Sequence, residues 1–237
     1  MVAIKEKCTF NTFDSSLLGL YLVDRELESP KEKASTIDIP YTMSEEDFSM
    51  ITGERFFENR SLKYKFMCYE TQYNKRKKLQ DKCRKLLMTN DFSKLVDTHN
   101  PNYYWWGKCA KVDCSDTTKT GKFEVTIEFM VYPFLIADSS FYEHDWNPFS
   151  FSDGVAQFYK YRIKWNRKFQ MVHVGDRAGF LKIISSDNMS LKLNGISHSI
   201  TRGEHEYRDI RMVPGINSIE IEGNGTIALY PRTEVMV

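Results

Sequence analysis

From Asp116 to Lys122 the chain reads Asp-Thr-Thr-Lys-Thr-Gly-Lys, a glycine-lysine run of the kind that cradles a nucleotide phosphate. That chemistry needs a first glycine for close backbone approach and a Ser or Thr after the lysine to hold Mg²⁺. Asp116 and Phe123 stand at those two places, so the run reads as a hairpin turn. Cys109 and Cys114, with four residues between them, could join a histidine around a metal. No second ligand pair lies nearby in sequence, and plain thiols are the better reading. The five histidines, His99, His144, His173, His198 and His205, form no HExxH, HxH or Ser-His-Asp signature, and no GxSxG is present. His198 and His205 read as surface or interface residues. The acid pairs Glu45-Glu46 and Glu220/Glu222 read as solvated positions and not as a proton-sharing dyad. The expectation is therefore no catalytic residue, no metal and no cofactor, and a chain that is not an enzyme.

The elements that would carry these residues are mostly strands. Leu62, Tyr64, Phe66 and Cys68 alternate with Lys63, Lys65 and Met67, and over 122–132 Phe123, Val125, Ile127, Phe129 and Val131 share one face. Period two with one polar face predicts antiparallel strands on a core. A shorter alternation runs through Ile37, Ile39 and Tyr41. Residues 72–88 differ: Leu79, Cys83, Leu86 and Leu87 fall at i, i+4, i+7, i+8, one stripe of a helix. Beyond Pro133 the polar stretch to Gly154 marks a boundary, and the second half has short strands at regular spacing. Asn194-Gly195 predicts a hairpin, and Pro214-Gly215 and Gly223-Asn224-Gly225 predict turns. The fold expected is mainly β (α+β). It comprises an N-terminal sandwich-like domain with one helix over 1–137, a linker over 138–147 and a C-terminal β-sandwich over 148–237.

With 237 residues, 41% hydrophobic and 27% charged, the chain has ordinary globular composition, and a net charge of +1 does not suit coating nucleic acid or an anionic membrane. The odd count of five cysteines and the lack of an apolar N-terminal stretch predict free thiols in a reducing cytoplasm. The longest apolar run, 129–137, is too short to span a bilayer. Charge is unevenly placed: 24–58 carries ten acids and four bases, 75–85 seven bases and one acid. The cations around the helix stripe, among them Lys75, Lys77, Lys78 and Lys82, read as a solvated face or as a contact for an acidic neighbour. The block Tyr103, Tyr104, Trp105, Trp106 puts two aromatics on each face of a strand, one pair for the core and one for a contact surface. These eight residues are the candidate subunit interface.

The series from Gly53-Glu-Arg-Phe-Phe-Glu-Asn-Arg60-Ser-Leu-Lys-Tyr-Lys-Phe66, through the helix, the strand near 92–96 and the aromatic strand, to Gly121-Lys-Phe-Glu-Val-Thr-Ile-Glu-Phe129 and Tyr132-Pro133, resembles phage distal tail proteins. Pro214-Gly215-x-Asn217-x-Ile219-x-Ile221 and Ile227-x-Leu-Tyr230 resemble the end of that family's C-terminal domain. The segment 29–44 departs from the pattern, and the second half is too short for the long arm with which some members hold receptor-binding proteins. The resemblance implies a siphophage baseplate component of the virion tail tip, made in the host cytoplasm. It implies a homo-oligomer, a hexameric ring, whose C-terminal galectin-like β-sandwich points outward. It implies as partners the tail tube protein, the tail-associated host-contact protein and, in some members, a receptor-binding protein. DNA only passes through the channel, and no membrane is involved. The alternative is a carbohydrate-binding β-sandwich for host recognition. An exposed Trp would mark its site, and alternation places Trp165 in the core.

Overall fold

The computed structural model describes residues 6–237 apart from Ile39, Thr42, Ser44, Glu45, Thr52, Thr89, Asn90, 118–121 and 144–156. The turn at 118–121, Glu45, His144 and residues 144–147 of the expected linker therefore lie outside the described residues. The chain divides into two compact units, Met1–Pro133 and Phe134–Val237.

In the first unit β1 (Cys8–Phe10), β2 (Phe13–Asp14), β3 (Tyr21–Leu27), β6 (Arg60–Cys68), β7 (Ser93–Asp97), β8 (Tyr103–Thr117) and β9 (Lys122–Val131) join in the order β2-β1-β7-β8-β9-β6-β3. Every neighbouring pair is antiparallel. β6 and β9 are the two alternating stretches, paired from Arg60↔Val131 to Cys68↔Phe123, and their apolar rows are buried. The sheet curls until its ends meet. The Phe10 ring on β1 lies 5.2 Å from Phe129 on β9. Asp97 at the end of β7 accepts from Tyr64 Oη at 2.5 Å and from Arg25 Nε on β3 at 3.1 Å. Burial drives the Tyr64 hydroxyl well above its ordinary pKa, so it stays a donor. One curled sheet thus supplies both layers of the expected sandwich.

The helix α1 (Tyr73–Met88) packs on β8 with Cys83 and Leu87 buried and Leu79 and Leu86 half-buried, the stripe its spacing requires. The alternation at 37–41 does not make a strand of that length: β4 (Thr36–Ile37) pairs only with β5 (Glu46–Asp47). Both belong to an arm that continues β3 outward and returns into β6, held by Glu58 N to Lys31 O at 2.8 Å, Lys33 N to Phe56 O at 2.8 Å and a Glu32–Arg55 ion pair.

The second unit begins with β10 (Leu135–Ala137), which pairs with β17 (Glu234–Val235), and the short α2 (Ser139–Glu143). Its core sheet contains β11 (Lys160–His173), β12 (Gly179–Ser185), β13 (Met189–Leu193), β14 (Ile196–Ile200), β15 (Gly203–Met212) and β16 (Gly215–Pro231). β16 pairs on one edge with β11 over its whole length, and on the other with β12 and then β13. β15 and β14 add outside these. A crease crosses all the strands at one level. Gly223 (φ 143°) and Gly225 (φ 136°) mark it on β16 and the turn after Ser185 between β12 and β13. The turn before Gly203 (φ 111°) marks it between β14 and β15. A Cβ on Gly223 would meet Met189 Cγ at 2.9 Å, and one on Gly225 would meet Ser186 Oγ at 2.3 Å. The sheet therefore folds where its inward positions carry no side chain, enclosing Ile163, Met171, Leu181, Ile183, Leu191, Ile221 and Leu229. The turn expected at Gly223-Asn224-Gly225 is this bend inside one strand, and β11 and β16 are longer than the short strands expected of this half. Asn194 (φ 47°) and Gly195 (φ 92°) do form the predicted hairpin.

Candidate contact surfaces

The eight candidate residues do not form one surface. On β8, Trp105 is fully buried, with the Arg60 guanidinium 5.6 Å from its ring. Trp106, next along, is 43% exposed, and Tyr104 on its row lies under Lys94 Nζ at 5.0 Å. Tyr103 is half-buried. The alternation thus divides the block as expected, Trp105 inward and Tyr104 with Trp106 outward, where Lys108 over Phe92 at 5.3 Å extends a face of rings and cations. The helix packs on the opposite side of β8, for Met88 Sδ lies 3.7 Å from Cys109 Sγ on the inward row. Its lysines therefore face away from Trp106.

On that helix Lys77, Lys78 and Lys82 are exposed and have no ion-pair partner among the described residues, while Lys75 reaches Glu70 at 3.5 Å. Arg76, expected among the outward cations, is buried instead. Its Nε donates to Asp116 at 2.8 Å and its Nη1 to the Thr71 and Glu70 carbonyls at 2.8 and 3.0 Å. A guanidinium satisfies a carboxylate and two carbonyls at once, which a lysine could not do, so Arg76 ties the helix start to β8.

Of the phosphate-like run, the described residues Asp116, Thr117 and Lys122 sit in an antiparallel ladder, Asp116↔Phe123 and Thr117↔Lys122, and Lys122 opens a strand and not a helix. Cys83 and Cys109 are buried thiols that burial pushes up to about 12 and about 11. Among the described residues no cluster of His, Cys, Asp and Glu could hold a metal, and no helix is long and apolar enough to cross a membrane. Glu220 accepts from Asn166 and pairs with Lys168, which hold its carboxyl below the usual range, the opposite of a proton-holding acid.

Two surfaces lie outside the eight candidate residues. The arm between β3 and β6 carries Ile37, Tyr41, Met43, Met50 and Ile51 in water, Tyr41 and Met43 completely so. The sequence signal for the arm is the acidic run over 24–58, in which the short alternation at 37–41 is the one period. The second is Trp165, which alternation put in the core. It is 80% exposed. It lies opposite Gly223 at the crease, where the inward space is closed, and its φ of 68° turns the indole out of the inward row.

No protein-family model and no curated protein matches the sequence. Among solved structures, the SPP1 Dit (gp 19.1) protein, a paradigm of the hub adsorption apparatus in phages that infect Gram-positive bacteria, superposes with a TM-score of 0.63 at 9% identity. The match covers 96% of this chain and 98% of that one. This chain has the fold of the Dit hub. Chains of the phage p2 baseplate in its activated conformation, with strontium or calcium, align at 9 and 10% identity with TM-scores of 0.41 and 0.43. Those alignments cover 97 and 99% of this chain and 95 and 96% of the others, too loosely in space to compare elements.

The residues behind the sequence resemblance have structural work in this fold. Arg60 Nε donates to the Glu28 carbonyl at 2.7 Å and Nη1 to the Pro133 carbonyl at 3.1 Å, which clamps the root of the arm to the end of β9. Asn217, fully buried, accepts from Val213 N at 3.0 Å and donates to the Val213 and Gly215 carbonyls, closing the Pro214-Gly215 turn.

Proposed function

We propose that this chain is the structural hub at the distal end of a phage tail. Copies close into a hexameric ring that joins the tail tube to the host-contact and baseplate proteins. The supporting observation is the end-to-end coincidence of fold with the SPP1 hub. The role is assembly geometry and not catalysis: the first unit makes the ring around the DNA channel, and the second presents outward. The arm fits this reading, because apolar side chains left in water on an acidic hairpin call for a partner surface. Lys77, Lys78 and Lys82 of a neighbouring copy supply the opposite charge. A head-to-tail contact between two different patches closes a ring when its rotation closes.

The test is the mass of the full chain by light scattering, with and without Lys77→Glu/Lys78→Glu. The expected result is a hexamer for the native chain and smaller species for the variant, with unchanged circular dichroism. A native chain that stays monomeric at every concentration removes the ring. A hexamer indifferent to the substitutions removes the helix from the contact. A second reading, carbohydrate binding by the C-terminal unit, has the exposed Trp165 in its favour.

A further inference from the structure

We draw no further inference here: the strongest candidate, the cavity of about 280 Å³ at the seam where β3 meets the end of β7, beside Arg25, Tyr64 and Asp97, has its buried charges already paired with one another, and nothing in the structure shows what would enter it.

Discussion

β8 and β11 are both long strands carrying aromatics among lysines, and they treat their tryptophans in opposite ways. β8 lies inside its sheet, between β7 and β9, and the irregularity in its pairing comes only after Cys109. Around Trp105 and Trp106 the β7 ladder is regular, and the β9 ladder starts at Gly107 without a shift until Cys109, so alternation assigns one ring to the core and the other to the surface correctly. β11 lies at an edge, and its tryptophan falls on the crease. There its partner is Gly223, whose inward side is closed by Met189, and alternation assigns the ring to a place that does not exist. The period of a strand is a statement about a regular ladder, and it fails where the sheet folds.

The largest effect that tests this contrast is on stability. Trp105→Ala should cost about 3–5 kcal/mol, as for other large aromatics cut from a core. Trp165→Ala should stay within about 0.5 kcal/mol, as an exposed position does. Denaturant unfolding of the two variants measures both. Similar costs would mean that the indole of Trp165 packs against something, and the contrast would be lost.

Next in size come the devices that hold each region. Gly223→Ala places a methyl 2.9 Å from Met189 Cγ at a φ of 143°, and should cost about 1–3 kcal/mol. Arg76→Met in the first unit removes the partner of Asp116 and leaves two carbonyls unsatisfied, with an expected cost of about 1–3 kcal/mol. Lys77→Glu and Lys78→Glu, one and two residues on, should leave the unfolding midpoint almost unchanged. If Arg76→Met proves as silent as they do, the helix is not anchored to β8 through that guanidinium.

Much of this architecture was legible. The strands β6 and β9, the helix stripe, the Asn194-Gly195 hairpin and the split of the aromatic block followed from period and turn chemistry, because each is a local property of a few side chains. Arg76 was misassigned because its burial depends on Asp116, forty residues away, and a run of cations looks the same whether or not one of them folds back. The arm was legible as an acidic run but not in its shape, because its strands are held by a few hydrogen bonds and the short alternation at 37–41 does not extend into an apolar row.

The smallest expected effect separates the two units by pH. His173 is buried in the second unit, where its Nε2 lies 2.8 Å from the Arg177 carbonyl oxygen and its Nδ1 has no partner. A Cβ on Gly175 or Gly179 would come within about 3 Å of the ring, so its Nε2–Cε1 edge is closely packed. Burial lowers the pKa of His173 below its ordinary 6.5, a shift that the carbonyl and Glu234 only partly offset. Above pH 6.5 the side chain is neutral in both folded and unfolded chains, and it costs nothing. As pH falls below that value the unfolded chain takes up a proton that the folded chain refuses. Stability falls in that direction, because the unfolded state binds more protons. His173→Gln keeps a donor for the carbonyl and cannot titrate. Between pH 7 and 5 the native chain should therefore lose more of its unfolding midpoint in the second unit than the glutamine variant does, while the first unit shows the same slope in both. Identical slopes for the second unit would mean that His173 is protonated in place, with Glu234 or solvent reaching it, and that this core is less closed than its glycines indicate.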